Sequence, residues 1–501
     1  MFGSLLSVLL ASLLLPPVGL VLLWMRSDTR LLRKLLGSVL IAGWSVAYLA
    51  LFFGLHYQLD GSGSFPRPVF YNKEAHFAEL ERSRAQQRPV AKVEAATAAP
   101  AAIEEKAPKQ PEPTGGVYWT DFRGRDRDGR YDQTPVRADW PKGGLPQVWR
   151  EPVGGGYASF VIANGRAFTI EQRRHQEVAT AYELATGREL WAHGWDGEFH
   201  ESMGGDGPRA TPTWNDGRVY ALGAAGELRC LDAATGRRIW SRNILTDNGA
   251  ANLQWGMSAS PLIVDDKVIV LPGGGSGKSV AAYNRLTGEP VWTALDDMQS
   301  YTSPMLVTLA GKRQILVVTA RRVLGLTIES GAVLWEHPWV TSYDINSAQP
   351  IILGKNRLFI SASYGHGSAV LEIVPEGEKF QVKEVWANNR MKNRFSSSVL
   401  FDGHIYGFDE AIFGCMNAET GELKWKGGRY GYGQVVLAGG NLVVMTEQGE
   451  AVLIKPSSDR LQEVSRFQAV SGQTWNHPAI SDGMLLVRNA TEMACFRIAP
   501  S

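Results

Sequence analysis

Nine side chains in this sequence join charge, aromaticity or an amide to a recurring position. Arg209, Trp255, Tyr301, Asp344, Asn346, Arg394, Tyr432, Trp475 and Asn476 each stand just ahead of the innermost strand expected in a repeating unit. Brought together, they would form a ring of aromatics with two guanidiniums and few acids. Aromatic faces stack on planar rings and guanidiniums grip carboxylates in bidentate fashion, so the ring suits a planar anionic molecule. The same residues can instead fix loops and hydrate a channel. They form no nucleophile–base or acid–base set, so the sequence assigns no catalytic residue and no metal ligand.

Other motifs with chemical overtones fail on spacing. Gly273–Gly277 with Lys278 and Ser279 looks like a phosphate loop, but Pro272 stands where the first glycine is required and a strand, not a helix, follows. A turn between strands is the better reading. Asp126-Arg127-Asp128-Gly129 opens like a calcium loop but lacks the later ligands and the closing glutamate, and reads as a tight surface turn. The nine histidines supply no H-E-x-x-H, and no G-x-S-x-G elbow is present. Three cysteines with no close spacing exclude a disulfide framework and a thiol-redox centre. A net charge of +1 gives no reason to expect a nucleic-acid partner.

The elements that must position the nine residues come from a repeat. Thr-Gly-x-x-x-Trp ends recur at Thr186–Trp191, Thr235–Trp240, Thr287–Trp292 and Thr420–Trp425, with a near copy at Ser330–Trp335. Starts such as Thr211-Pro212, Ser260-Pro261, Ser303-Pro304, Gln349-Pro350 and His477-Pro478 precede apolar runs. Turns such as Asn164-Gly165, Asp216-Gly217, Asp265-Asp266, Asp402-Gly403 and Gly439-Gly440 divide them. Each unit therefore predicts four antiparallel strands. Eight units of about 48 residues fill 117–501, which predicts an eight-bladed β-propeller. The last unit lacks its Trp strand, and Gln147–Arg150 has no blade before it, so this strand is expected to complete blade eight. Cys230, Cys415 and Cys495 fall at one small position, aligned with Ala181, Ala282 and Gly325, in different blades; they are expected to be buried and unpaired.

Ahead of the repeats, two apolar stretches (5–24 and 37–55) flank a loop with Arg26, Arg30, Arg33 and Lys34. They predict a helical transmembrane hairpin in 1–56 with its loop in the cytoplasm and the rest of the chain outside. Pro16-Pro17 is expected to kink the first span. Residues 57–116, rich in Ala, Pro, Glu and Lys, read as an extended linker with a short helix around Lys73–Arg84.

The repeats Leu231–Trp240 and Met416–Trp425, the lead-in Trp119–Gly124 through Asp128-Gly129, and Gly207–Pro212 resemble the pyrroloquinoline-quinone-like (PQQ-like) propeller family, which includes quinoprotein dehydrogenases and BamB-like proteins. For the dehydrogenases the resemblance implies a vicinal disulfide over the quinone and a calcium cluster. For BamB-like lipoproteins it implies a cysteine near the N-terminus. This chain has no vicinal cysteines, and its first cysteine is Cys230. The expectation is a membrane-anchored, non-catalytic scaffold for a protein or peptide partner, on the periplasmic side of a bacterial inner membrane and without a cofactor. The alternatives are an oxidoreductase holding PQQ with calcium and passing electrons to the membrane, and a sensor of a small ligand.

Overall fold

The computed structural model describes residues 5–58, 67–87, 118–377 and 379–500. It has two compact units, Met1–Glu79 with Ser202–Gly204, and Leu80–Glu201 with Gly205–Ser501.

The second unit is the eight-bladed propeller expected from the repeats. Blades one to seven are antiparallel sheets over 161–196, 213–243, 262–294, 305–338, 351–388, 399–427 and 434–468. Blade eight takes three strands from 479–497 and its outer strand from Gln147–Pro152, which pairs with Glu492–Arg497. The ring thus closes with the borrowed strand. The short strand Arg130–Tyr131 adds in parallel to the inner edge of blade seven. The Asn164-Gly165, Asp216-Gly217 and Asp402-Gly403 turns hold both residues at positive φ, the type I′ form whose twist matches the flanking strands.

Glycine and tryptophan of the repeated motif act across the seam between blades. The glycines of the Thr-Gly turns (Gly187, Gly236, Gly288, Gly331 and Gly421) all have φ of 71–74°. A Cβ on any of them would come within 2.6–2.8 Å of the preceding blade's Trp ring, namely Trp149, Trp191, Trp240, Trp292 and Trp386. Each of those indoles also donates to a carbonyl three residues before the glycine, as in Trp191 Nε1 to Ala233 O at 3.1 Å and Trp149 Nε1 to Leu184 O at 2.8 Å. Blade five has no Thr-Gly turn, and Trp335 facing it donates instead to Gln314 Oε1 within its own blade. The small position lies directly across from the Trp: Cys230 pairs with Trp240, Cys415 with Trp425 and Cys495 with Trp149. The three thiols are buried and unpaired, and burial pushes them up to about 11–12.

Gly236→Ala combines a left-handed φ with overlap against Trp191 and should cost about 2–3 kcal/mol in denaturant melts. Gly217→Ala, at φ 72° with open space around it, should cost only about 1 kcal/mol.

In the first unit the apolar stretch 5–24 is not one continuous helix. It forms two helices, α1 (Leu5–Leu14) and α2 (Pro16–Met25), broken at Leu15, where φ is −141° and ψ 79°. The second stretch is a single helix, α3 (Leu31–Phe53), ended by Gly54 in the left-handed region with its N–H bonded to Leu49 O. Among the described residues α3 is the one helix long and apolar enough to cross a membrane. Strands Leu55–Gln58 and Arg67–Phe70 pair antiparallel. A further helix, α4 (Lys73–Gln87), extends three residues beyond the expected Lys73–Arg84. The remainder of the linker lies outside the described residues.

Candidate functional site at the channel mouth

The inner strands are joined blade to blade by a closed belt of hydrogen bonds, made at and beside the residues that precede the recurring prolines. Ser159 N donates to Thr211 Oγ1, Thr213 Oγ1 to Pro261 O, Ser260 N to Ser303 Oγ, and Ser303 N to Gln349 Oε1. Gln349 N donates to Ser397 Oγ, Gln434 Nε2 to both Phe395 O and Trp475 O, and Ser159 Oγ to His477 O. Proline suits the next position because an inner edge strand has no ladder partner waiting for its N–H.

Beside this belt the lead-in, Tyr118–Tyr131, lies across the inner strands. Ile162 N donates to Trp119 O and Trp214 N to Thr120 O. Arg127 donates to Ser260 O, Pro261 O, Pro304 O and Asp121, and so ties blades three and four to the lead-in. Arg123 reaches Ser397 O and Ser398 O in blade six and lies 3.3 Å from His477 Nε2 in blade eight. Burial, and then Arg123, hold the His477 pKa well below its usual value, so the neutral ring accepts from the guanidinium. The Asp126–Gly129 stretch is a turn, with φ 57° at Arg127; it exposes Asp126 at the surface while Arg127 turns inward and is 2% exposed.

At the mouth, segments ahead of the inner strands and the hairpins beside them bring together an aromatic arc. Tyr157 meets Trp475 at 5.3 Å between ring centroids, Trp475 meets Phe395 at 4.8 Å, and Phe395 meets Tyr432 at 5.4 Å. Arg394 lies over Tyr432 at 5.0 Å and Tyr364 at 5.4 Å, and Tyr364 meets Tyr343 at 6.0 Å. At the other end Arg209 lies over Tyr157 and Phe199. Trp255 and Tyr301 form a separate pair at 5.6 Å, and burial pushes the Tyr301 phenol up to about 12.

The two arginines differ in what they are free to bind. Arg209 is spent on its own loop: it donates to Gly207 O, to Gly205 O at 3.0 Å and to Glu201 at 3.3 Å. Half-buried Arg394 donates to Tyr432 Oη at 3.0 Å, and among the described residues no carboxylate pairs with it. Asp344 is engaged by Arg321. Asn346 and Asn476 do not line an open surface. Each is 2% exposed, and their side-chain amides donate to Thr319 O and Ala320 O, and to Gly156 O and Ala158 O. These two, and Arg209, all donate to loop carbonyls.

Sequence reasoning missed Tyr157, Phe199, Tyr364, Phe395 and Glu447. Tyr157 and Phe395 hold the same place before an inner strand as the residues chosen, and could have been found by that rule. Tyr364 and Glu447 come from turns between second and third strands, where no repeated motif marks them. Glu447 accepts from Trp475 Nε1 at 3.0 Å and from Tyr432 N, and so sets the arc's orientation. The outer rim beside Tyr364 exposes Met298 (58%), Val340 (49%) and Tyr343 (72%). Met298 O accepts from Ala320 N, and Trp339 N donates to Arg321 O, which makes this rim continuous with the Arg321–Asp344 pair. Among the described residues no three of His, Cys, Asp or Glu converge to hold a metal ion.

A family model described as outer membrane protein assembly factor BamB matches residues 174–427. A curated protein of that description from Burkholderia pseudomallei is 22% identical over 380 residues, covering 66% of this chain and 93% of the relative. Among solved structures, BamB from Moraxella catarrhalis is similar with a TM-score of 0.50 at 16% identity, over 70% of this chain and 97% of that one. Quinohemoprotein alcohol dehydrogenase from Comamonas testosteroni is similar with a TM-score of 0.55 at 13% identity, over 77% and 81%. At these identities the solved structures show a shared fold and no more.

Proposed function

Because this chain belongs to the BamB family of PQQ-like propellers, we propose that it is a non-catalytic protein-interaction scaffold, held in the bacterial inner membrane by its N-terminal helices with the propeller on the periplasmic side. The relatives are named for the assembly of outer membrane proteins, and a protein or peptide partner is the corresponding proposal here. The observation that carries it is the mouth and its rim. An unpaired, half-buried guanidinium on a floor of rings adjoins an exposed apolar edge of Met298, Val340 and Tyr343. That pairing fits a peptide segment with an acidic group for Arg394 and apolar side chains for the edge. The membrane reading rests on α3, 23 residues long and reaching a mean hydropathy of 2.0 over an 18-residue stretch, and on the basic cluster before and within its first turn, which the positive-inside rule assigns to the cytoplasm.

A photoactivatable cross-linker placed at Tyr343 of the full chain in its native membrane tests the reading. A discrete adduct is expected, weakened about tenfold or more by Arg394→Glu. A cross-linker at Val464, exposed on an outer strand, should give none. Equal adducts from both positions, or adducts indifferent to Arg394, would overturn the proposal. So would stoichiometric binding of PQQ with calcium by the purified chain, which would favour the oxidoreductase.

A further inference from the structure

We propose that α1 and α2 form a re-entrant hairpin seated in the membrane leaflet next to the basic loop, so that α3 alone crosses and the start of α1 lies on the same side as that loop. The proposal rests on the membrane reading above and replaces the two-span hairpin expected from hydropathy.

Length is the first reason. Ten residues of α-helix extend about 15 Å, half of an apolar layer about 30 Å thick. Neither α1 nor α2 can cross, whereas the 23 residues of α3 can.

Direction is the second. Val8 of α1, Leu23 of α2 and Ile41 of α3 share one buried cluster. Ser12 packs on Gly19 so closely that a Cβ there would fall 2.5 Å from the Ser12 Cα. The pairs 8 with 23 and 12 with 19 are the register of two helices folded back on each other about Leu15. A merely kinked helix would carry residue 8 away from residue 23. Close approach over a glycine and a serine is how helices pack in lipid, where apolar burial gives no drive for association. Leu14, Leu15, Val21 and Met25 expose 57–75% of their surface, as lipid-facing positions would.

The chemistry of the tip is the third. A chain reversal inside hydrocarbon strands backbone polar groups, which is why such reversals are rare there. Pro16 and Pro17 occupy the first two positions of α2, where helical N–H groups have no partner, and proline has no N–H to strand. Leu15 N bonds to Ala11 O, and Leu15 O accepts from Val18 N and Gly19 N. Trp44 Nε1 of α3 donates to Leu13 O at 3.2 Å. At the other end of α2, Lys34 Nζ donates to Trp24 O at 3.0 Å, placing a charge beside the basic loop where it meets water.

The test labels cysteines with a membrane-impermeant maleimide in the full chain, the three native thiols being buried. One thiol sits in a short tag placed ahead of Met1, a second is Ser27→Cys in the loop, and a third is in a tag after Ser501. Expected is labelling of the first two in inverted vesicles alone, and of the third in intact spheroplasts alone. First and third labelled together in spheroplasts, with Ser27→Cys labelled in inverted vesicles, would establish two crossing spans and overturn the hairpin while leaving the membrane anchor intact. Extraction of the chain by alkaline carbonate, with all three labelled on one side, would instead overturn the anchor itself.

Discussion

Arg127→Ala should destabilise the propeller by about 3–5 kcal/mol, lowering its melting midpoint far more than removal of any exposed arginine. The guanidinium is buried and donates to carbonyls at 260, 261 and 304, to Thr213 Oγ1 and to Asp121. Truncation leaves carbonyls from two blades without this donor, and each buried orphan costs on the order of 1–3 kcal/mol. It also removes the charge facing Asp121. Burial pushes that carboxyl up, and Arg127 and Thr120 are what oppose it. An intermediate loss is expected for Arg127→Lys, because a single ammonium cannot reach acceptors on three sides as a planar fork does. The double substitution Arg127→Met with Asp121→Asn should be milder than Arg127→Ala, since it removes the unpaired charge as well as its partner. Circular dichroism melts of the four proteins decide the matter. A loss below about 1 kcal/mol for Arg127→Ala would mean that the lead-in is a loose appendage.

How far this could be foreseen depends on whether a residue belongs to the repeat. Gly236 and Trp191 serve one contact that recurs in five of the eight seams, so their spacing shows in the sequence even though they act in different blades. The borrowed strand was legible for the same reason, as a Trp without a unit and a unit without a Trp. Arg127 belongs to no repeat. Its partners at 260, 261 and 304 are main-chain carbonyls, and carbonyls leave no mark on residue type. The mouth was half legible. A rule based on position found Arg394 and Tyr432, which meet, and Trp475, which joins them through Phe395. It also took Asn346 and Asn476, whose amides are turned to loop carbonyls, because position alone cannot say which way a side chain is used. The break at Leu15 was foreseen as a kink, since hydropathy measures how apolar a stretch is and says nothing of its direction.

Acid should weaken the seam between blades eight and one through a single carboxylate, Glu171. It is fully buried in blade one, where burial alone would raise its pKa. Arg173, Arg488 of blade eight and Arg84 of α4, with the Gly154 N–H, outweigh that and hold it down to about 2. Tyr182 Oη donates to the same carboxylate at 2.9 Å. Arg84 also bridges Glu151 of the borrowed strand at 3.2 Å and Glu189 of blade one at 3.4 Å, so this half of α4 spans the closure. A carboxyl depressed from its usual 4.5 to about 2 stabilises the fold by about 3 kcal/mol, fully above pH 4.5 and lost as pH falls from 4.5 toward 2. Glu171→Gln should therefore cost about 3 kcal/mol at pH 7, and the gap between variant and parent should narrow below pH 4.5. Arg84→Ala removes one of the three charges holding the carboxylate ionised, so in that background the gap should be smaller at pH 7 and its narrowing, which still begins near pH 4.5, should be complete at a higher pH. Urea melts at pH 7, 5 and 3.5 on the four combinations of the two substitutions would measure both effects. A gap between Glu171→Gln and parent that stays constant across this range would show that Glu171 holds the seam by packing and not by charge.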